Sequence, residues 1–117
     1  MIRTGMTVRI RPDLVDEYRK THAQVWPEVE SALLELGFRK ISIFHAGSLL
    51  FMYQEYAGSL PIEEAYASYA ANDACRRWEQ LMGRFQEGES GSLPGIRWTN
   101  MEEIYHLGPP SPHDGAR

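Results

Sequence analysis

Cysteine is nearly absent, with one residue, Cys75, among 117. A single thiol cannot close an intrachain disulfide, and it excludes a Cys-rich zinc centre. Such usage fits a reducing cytoplasm. Long apolar runs are also missing. The longest, Leu49-Leu50-Phe51-Met52-Tyr53, falls far short of the ~20 residues a membrane-spanning helix needs. Met1 leads into an alternating segment that holds Arg3 and Arg9, not into a basic start and an apolar block, so neither a secretory signal nor a membrane partner is expected. A basic excess is lacking too: 12 Lys and Arg against 16 Asp and Glu leave a formal charge of −4. That balance argues against binding a nucleic-acid backbone. Also absent are a phosphate-binding P-loop, a dinucleotide glycine fingerprint, an HExxH pair and a G-x-S-x-G elbow.

The chain does have enough apolar residues for one core. With 43% hydrophobic and 24% charged residues, a single folded domain is expected, spanning 1–107, with a flexible tail over 108–117 that carries three prolines. Ile2 to Ile10 alternates, with Ile2, Met6, Val8 and Ile10 on one face, as in a half-buried strand. Pro12, Asp13, Asp16 and Glu17 open a helical pattern that runs through Leu14, Tyr18, Val25, Val29, Leu33 and Leu36 to a stop at Gly37. Pro27 inside that pattern predicts a break near Val25 and Trp26. Phe38 to His45 and Leu49 to Tyr56, joined by Ala46-Gly47-Ser48, read as a hairpin. A second helical stretch places Ile62, Ala65, Tyr66 and Tyr69 on one face. Asp73 is expected to cap its continuation through Ala74, Trp78, Leu81 and Phe85. Glu87 to Gly95 is a loop, and Asn100 to Leu107 is expected to form the last strand.

The order β-α-β-β-α-β is the ferredoxin-like arrangement, an α+β fold. Two helices cover one face of its sheet and leave the other open and partly apolar. In so small a chain that predicts a partner, most simply a second copy.

Chemistry-bearing residues are few. Tyr18 and His22, four apart, share a helix face, and Trp26 extends the line unless the break at Pro27 turns it away. An imidazole moves protons near neutral pH, and an aromatic surface suits the C–H face of a sugar. Spacing alone equally allows a half-buried histidine that only bonds locally. Cys75 reads as a small buried filler, Arg76-Arg77 as a solvated helix face, and Trp78 as core or as a stacking platform. Glu55, Glu102 and Glu103 read as paired or solvated strand residues. His45 and His106 lie near strand ends and His113 in the tail, without metal-ligand spacing.

The run Glu17-Tyr18-Arg19-Lys20-Thr21-His22-Ala23-Gln24-Val25-Trp26-Pro27-Glu28-Val29 resembles the signature of the L-rhamnose mutarotase family. So do Ser42-Ile43-Phe44 with Leu49-Leu50-Phe51, then Ala74-Cys75-Arg76-Arg77-Trp78, and finally Met101-Glu102-Glu103-Ile104-Tyr105-His106-Leu107. The resemblance implies a dimeric ferredoxin-like α+β barrel and a homodimer. Its implied activity is that of an isomerase (an aldose 1-epimerase or sugar mutarotase) interconverting the α and β pyranose anomers of a 6-deoxy-hexose without metal or cofactor. It implies His22 as the catalytic acid/base, Tyr18 as a sugar-binding residue, and Trp78 as the first of two adjacent pocket tryptophans. This chain departs from the family pattern at two pocket positions: Ile41, after Lys40, stands where a tyrosine after asparagine is usual, and Glu79 stands where the second tryptophan is expected. Both are expected to contact substrate and to shift its preference. The Glu-Tyr-Ala-Gly run and the closing Glu-Glu-Ile-Tyr-His-Leu block resemble members associated with L-fucose-type sugars. Two other functions suit the same architecture. One is a cofactor-free oxygenase or decarboxylase, which would require dioxygen or an aromatic substrate. The other is a non-catalytic small-molecule binding module, indifferent to loss of His22.

Overall fold

A computed structural model describes residues 1–87 and 97–108. Most of the expected loop at Glu87 to Gly95, and all of the expected tail after Gly108, lie outside the described residues. The first strand, β1, spans Ile2–Ile10. Its alternation buries Met6, Val8 and Ile10, whereas Ile2 is exposed at the strand's end.

The long helical pattern that follows is divided as Pro27 requires. A single 3-10 turn at Pro12–Leu14 leads into α1, Val15–His22, and a separate helix, α2, spans Pro27–Leu36. The residue before a proline is driven out of the helical region, and Trp26 accordingly sits at φ −59°, ψ 131°. Pro27 then occupies the first turn of α2, where its missing N–H costs nothing. Gly37 ends α2 at φ 111°, in the left-handed region that glycine enters freely. A Cβ at Gly37 would strike the Cα of Gly58, and one at Gly58 would strike the carbonyl of Leu36. The two glycines thus let these backbones touch.

Strand β2, Phe38–Ala46, and strand β3, Leu49–Tyr56, form the expected hairpin, turning at Gly47 with φ 60°. Helices α3, Ile62–Ala71, and α4, Asp73–Met82, follow. The cap of α4 is Asn72 and not Asp73. Asn72 has extended backbone, and its Oδ1 accepts the Cys75 N–H at 3.0 Å, the geometry a capping side chain needs. Asp73, one residue further in, instead pairs with Arg76 at 2.7 Å and Arg77 at 3.1 Å on the solvated face. Phe85 lies beyond the end of α4 but is still buried.

The free edge of β1 is shared by two short strands. β4, Gln86–Glu87, pairs with Arg9 and Ile10, and β5, Thr99–Met101, pairs with Gly5 to Thr7. The expected last strand, Asn100 to Leu107, is therefore much shorter. Its register sets Met101 opposite Gly5, and carried on it would bring Glu103 opposite Arg3. Those two side chains do meet, at 3.1 Å. One residue further β1 ends at Ile2, so no edge is left to pair with Tyr105 and beyond.

The sheet order is β2-β3-β1-β4, all antiparallel between neighbours, which is the ferredoxin-like arrangement. Cross-strand partners share a face, so the register separates two surfaces. Met6, Val8, Leu50, Met52, Gln54, Ile41 and Ile43 lie on one side, and the helices pack there. The opposite side carries Phe44, Phe51, Tyr53 and Met101, with Phe44 61% exposed. Among the described residues no helix is long and apolar enough to cross a membrane.

Candidate active site

Between the helices and the inner sheet face lies a cavity of about 410 Å³, within the ~300–1,000 Å³ range of small-molecule sites. Every residue singled out for the site lines it: Tyr18, His22, Ile41, Trp78 and Glu79. They arrive from three elements, α1, β2 and α4, and the fold brings them together.

Tyr18 and His22 project from successive turns of α1, their ring centroids 4.2 Å apart. The ring of Trp78, from α4, stands edge-on to His22 at 5.4 Å, and Phe85 stands edge-on to Tyr18 at 5.7 Å. Trp26 is carried off the Tyr18–His22 line by the break before α2. It does not line the cavity but backs Trp78, with centroids 5.3 Å apart. His22 is thus wedged between aromatic rings. Its Nδ1 lies 3.2 Å from the Tyr18 carbonyl oxygen, an acceptor that calls for the proton on Nδ1 and leaves Nε2 with its lone pair. Burial holds the imidazole pKa below its ordinary 6.5, against the opposing pull of that carbonyl. A neutral, singly oriented imidazole is the form suited to accept a proton.

Glu79, next to Trp78 on α4, accepts a hydrogen bond from the Tyr69 hydroxyl at 2.8 Å on Oε2. Burial pushes its pKa above the ordinary 4.5, while the Tyr69 hydroxyl and the Arg97 charge act in the other direction. The Tyr18 and Tyr69 phenols are shifted upward, by burial first and by the Glu79 charge second. Both remain hydrogen-bond donors at neutral pH. Ile41, opposite Gln54 in the β2–β3 register, adds an apolar contact where a phenol would have offered a polar one.

Of the remaining titratable residues, Glu30, Tyr66 and Tyr69 also line the cavity, whereas His45, Glu55 and Glu103 do not. His45 is exposed, with Nε2 2.6 Å from the Gly47 carbonyl oxygen. Glu55 accepts from Tyr53 on the outer sheet face, and Glu103 pairs with Arg3. Among the described residues no group of three or more His, Cys, Asp or Glu could hold a metal ion. Cys75 is fully buried, its thiol pushed up to about 11 by burial and by Glu79.

Sequence reasoning missed Gln54, Tyr66, Tyr69, Gln86 and Trp98 as lining residues. A signal existed for Gln54, a polar residue in the inward register of β3 between Met52 and Tyr56. Tyr66 and Tyr69 were legible only as core. Nothing local marks Gln86 or Trp98.

The family profile described as L-rhamnose mutarotase matches residues 3–107. The chain is similar to the L-rhamnose mutarotase of Lactiplantibacillus plantarum, 31% identical over 109 residues that cover 92% of this chain and 99% of the relative. It is also similar to the L-fucose mutarotase of Xanthomonas campestris pv. campestris, 32% identical over 96 residues covering 80% and 77%. The crystal structure of an L-rhamnose mutarotase from Formosa agariphila shares the fold, with a TM-score of 0.74 at 20% identity, covering 92% of this chain and all of that one.

Proposed function

The chain belongs to the L-rhamnose mutarotase family, whose members are sugar-converting isomerases, and we propose that it interconverts the α and β pyranose anomers of a 6-deoxy-hexose of the L-rhamnose or L-fucose type without a cofactor. The observation that carries this reading is His22, a neutral imidazole with one nitrogen fixed by the Tyr18 carbonyl, held between aromatic rings in a sugar-sized cavity.

In the proposed mechanism Nε2 of His22 takes the proton of the anomeric hydroxyl as the C1–O5 bond breaks. The ring oxygen receives a proton from the Glu79 carboxyl, whose protonated form is favoured by burial and opposed by the Tyr69 hydroxyl and the Arg97 charge. The product is the open-chain aldehyde with O5 as a hydroxyl. Rotation about C1–C2 presents the other carbonyl face. O5 then attacks C1 and returns its proton to Glu79, while His22 returns the first proton to O1. Tyr18 donates to a sugar hydroxyl, Trp78 lies against the C–H face, and Ile41 packs on an apolar part of the substrate. Bifunctional proton transfer of this kind typically contributes 10²–10⁴-fold. The open sheet face, with Phe44, Phe51, Tyr53 and Met101 on it, is proposed as the surface of a homodimer, and a reducing cytoplasm suits the lone thiol.

The test is saturation-transfer proton NMR on equilibrated L-rhamnose, L-fucose and common aldoses near pH 7. Wild type is expected to accelerate exchange of at least one sugar, and His22→Ala to lower that rate about 10²–10⁴-fold while remaining folded. No acceleration with any sugar, or equal activity in the variant, overturns the proposal.

A further inference from the structure

Gln86 is the one buried side chain whose polar atoms are left unpaired among the described residues. It is 3% exposed, and neither Nε2 nor Oε1 has a hydrogen-bond partner. Exchanging the two atoms changes nothing, because both lack partners, so the observation does not depend on how the amide was oriented. Buried polar groups are almost always paired, and an exception calls for a reason. Gln54 provides the contrast. It lines the same cavity and is also buried, yet its Oε1 accepts from the Tyr66 hydroxyl at 2.6 Å and from Thr4 Oγ1 at 3.2 Å. Gln54 is tied into the scaffold, and Gln86 is not.

The position of Gln86 is fixed by backbone. β4 is only two residues long, but it pairs Gln86 with Ile10, which places the side chain on the inner, cavity face. Gln86 lines the cavity together with His22, Trp78 and Glu79. A carboxamide presents an acceptor oxygen and a donor NH₂ side by side, and each secondary hydroxyl of a sugar can act as donor and acceptor. Two adjacent ring hydroxyls therefore match it atom for atom, whereas an aromatic or hydrocarbon ligand would leave the amide unpaired.

We propose that Gln86 is a substrate-binding and specificity-determining residue whose carboxamide binds a vicinal diol of the pyranose, away from the anomeric centre. This rests on the sugar-mutarotase reading above and adds to it a residue outside the His22–Trp78 cluster.

The experiment compares wild type with Gln86→Leu and Gln86→Met, both close in volume. Anomer exchange is measured by NMR for kcat and KM, sugar affinity by calorimetry, and melting temperature without ligand. A set of monodeoxy analogues of the best sugar is run on each protein. The expected result is a KM raised about 10- to 100-fold with kcat little changed, the mark of lost binding common to ground and transition states. The ligand-free variants should melt no lower than wild type, since an unpaired buried amide has been removed. At least one analogue should bind wild type weakly and lose no further affinity in Gln86→Leu.

Unchanged KM in both variants overturns the inference. So does a fall in melting temperature with unchanged sugar affinity, which indicates a scaffold role through a buried water. If neither variant folds, the analogue series on wild type decides, and equal affinity for every analogue overturns the inference. Sugar binding by wild type without faster exchange refutes the mutarotase reading alone and leaves Gln86 to be judged on affinity. Failure of wild type to bind any sugar refutes both.

Discussion

Glu79→Gln is expected to stabilise the protein above about pH 5 and to abolish most of its anomer exchange. The substitution keeps the shape and leaves an amide oxygen to accept the Tyr69 hydroxyl, now at 2.8 Å from Oε2, but removes the charge. In the folded chain the carboxyl pKa is raised above its ordinary 4.5, chiefly by burial. Below 4.5 folded and unfolded states both hold the proton, and the group makes no pH-dependent difference. As pH rises beyond 4.5 the unfolded chain releases its proton first, so stability falls until the folded-state pKa is passed and is then level. A buried polar group with partial compensation carries a penalty of about 1–3 kcal/mol. At roughly 4 °C per kcal/mol for a domain of this size, the variant should melt about 4–12 °C above wild type at pH 8, with little difference at pH 4. His22 acts in the opposite sense. Its lowered pKa costs stability as pH falls below 6.5, but it is common to both proteins and cancels in the comparison. The assay is thermal melting by circular dichroism from pH 4 to 8, alongside NMR exchange. A pH-independent difference, or a variant less stable than wild type at pH 8, refutes the reasoning, because the Arg97 attraction would then outweigh the burial of the charge.

Two further predictions concern other parts of the molecule. Cys75, fully buried with its thiol pushed up to about 11, should resist maleimide labelling at pH 8 in the native protein and react in full in denaturant; rapid stoichiometric labelling of the folded chain would contradict its place in the core. The proposed homodimer should sediment as such at micromolar concentration, and Phe44→Lys, on the open sheet face and far from the cavity side, should shift it to monomer; a wild type that sediments as a monomer throughout that range excludes this interface.

The parts of the fold readable in advance were those with strong local chemistry. Alternation set β1 from Ile2 to Ile10, and Pro27 and Gly37 fixed both ends of α2 by restricting their own and neighbouring dihedrals. The cap of α4 was misplaced by one residue, since Asn72 and Asp73 are chemically alike and only backbone extension at Asn72 selects between them. The last strand was overestimated because its apolar residues continue to Leu107 while the partner edge does not, leaving Ile104 89% exposed. Within the site, Tyr18 and His22 were visible from a spacing of four. Gln86 and Trp98 reach the same cavity by way of β4 and the segment before β5, contacts that no periodicity encodes.

The two departures from the family pattern are coherent once placed on the sheet. Ile41 and Ile43 belong to β2 and Gln86 to β4, at opposite ends of the order β2-β3-β1-β4. With strands about 4.8 Å apart, the two walls are roughly 14 Å apart along the sheet. The β2 wall is extended by Val29 and Leu33 of α2 and is apolar apart from the exposed Glu30 of the same helix. On the far side Gln86 of β4 offers an unpaired amide, and above the sheet Glu79 and Tyr69 of α4 and α3 are hydrogen-bonded to each other. Ile41 and Glu79 therefore make one side of the cavity mostly apolar and the other more polar, although Gln54 faces Ile41 and Glu30 also lines the cavity. A 6-deoxy-hexose has the same division, a methyl group at one end and hydroxyls at the other. A methyl group beside Glu79 or a hydroxyl beside Ile41 would leave polar groups unpaired, and a site built this way rejects mismatched hydroxyls far more strongly than it rejects an extra methylene. Under the proposed function, substrate choice would depend more on where the sugar's hydroxyls fall relative to Gln86 and Glu79 than on how well its ring stacks on Trp78.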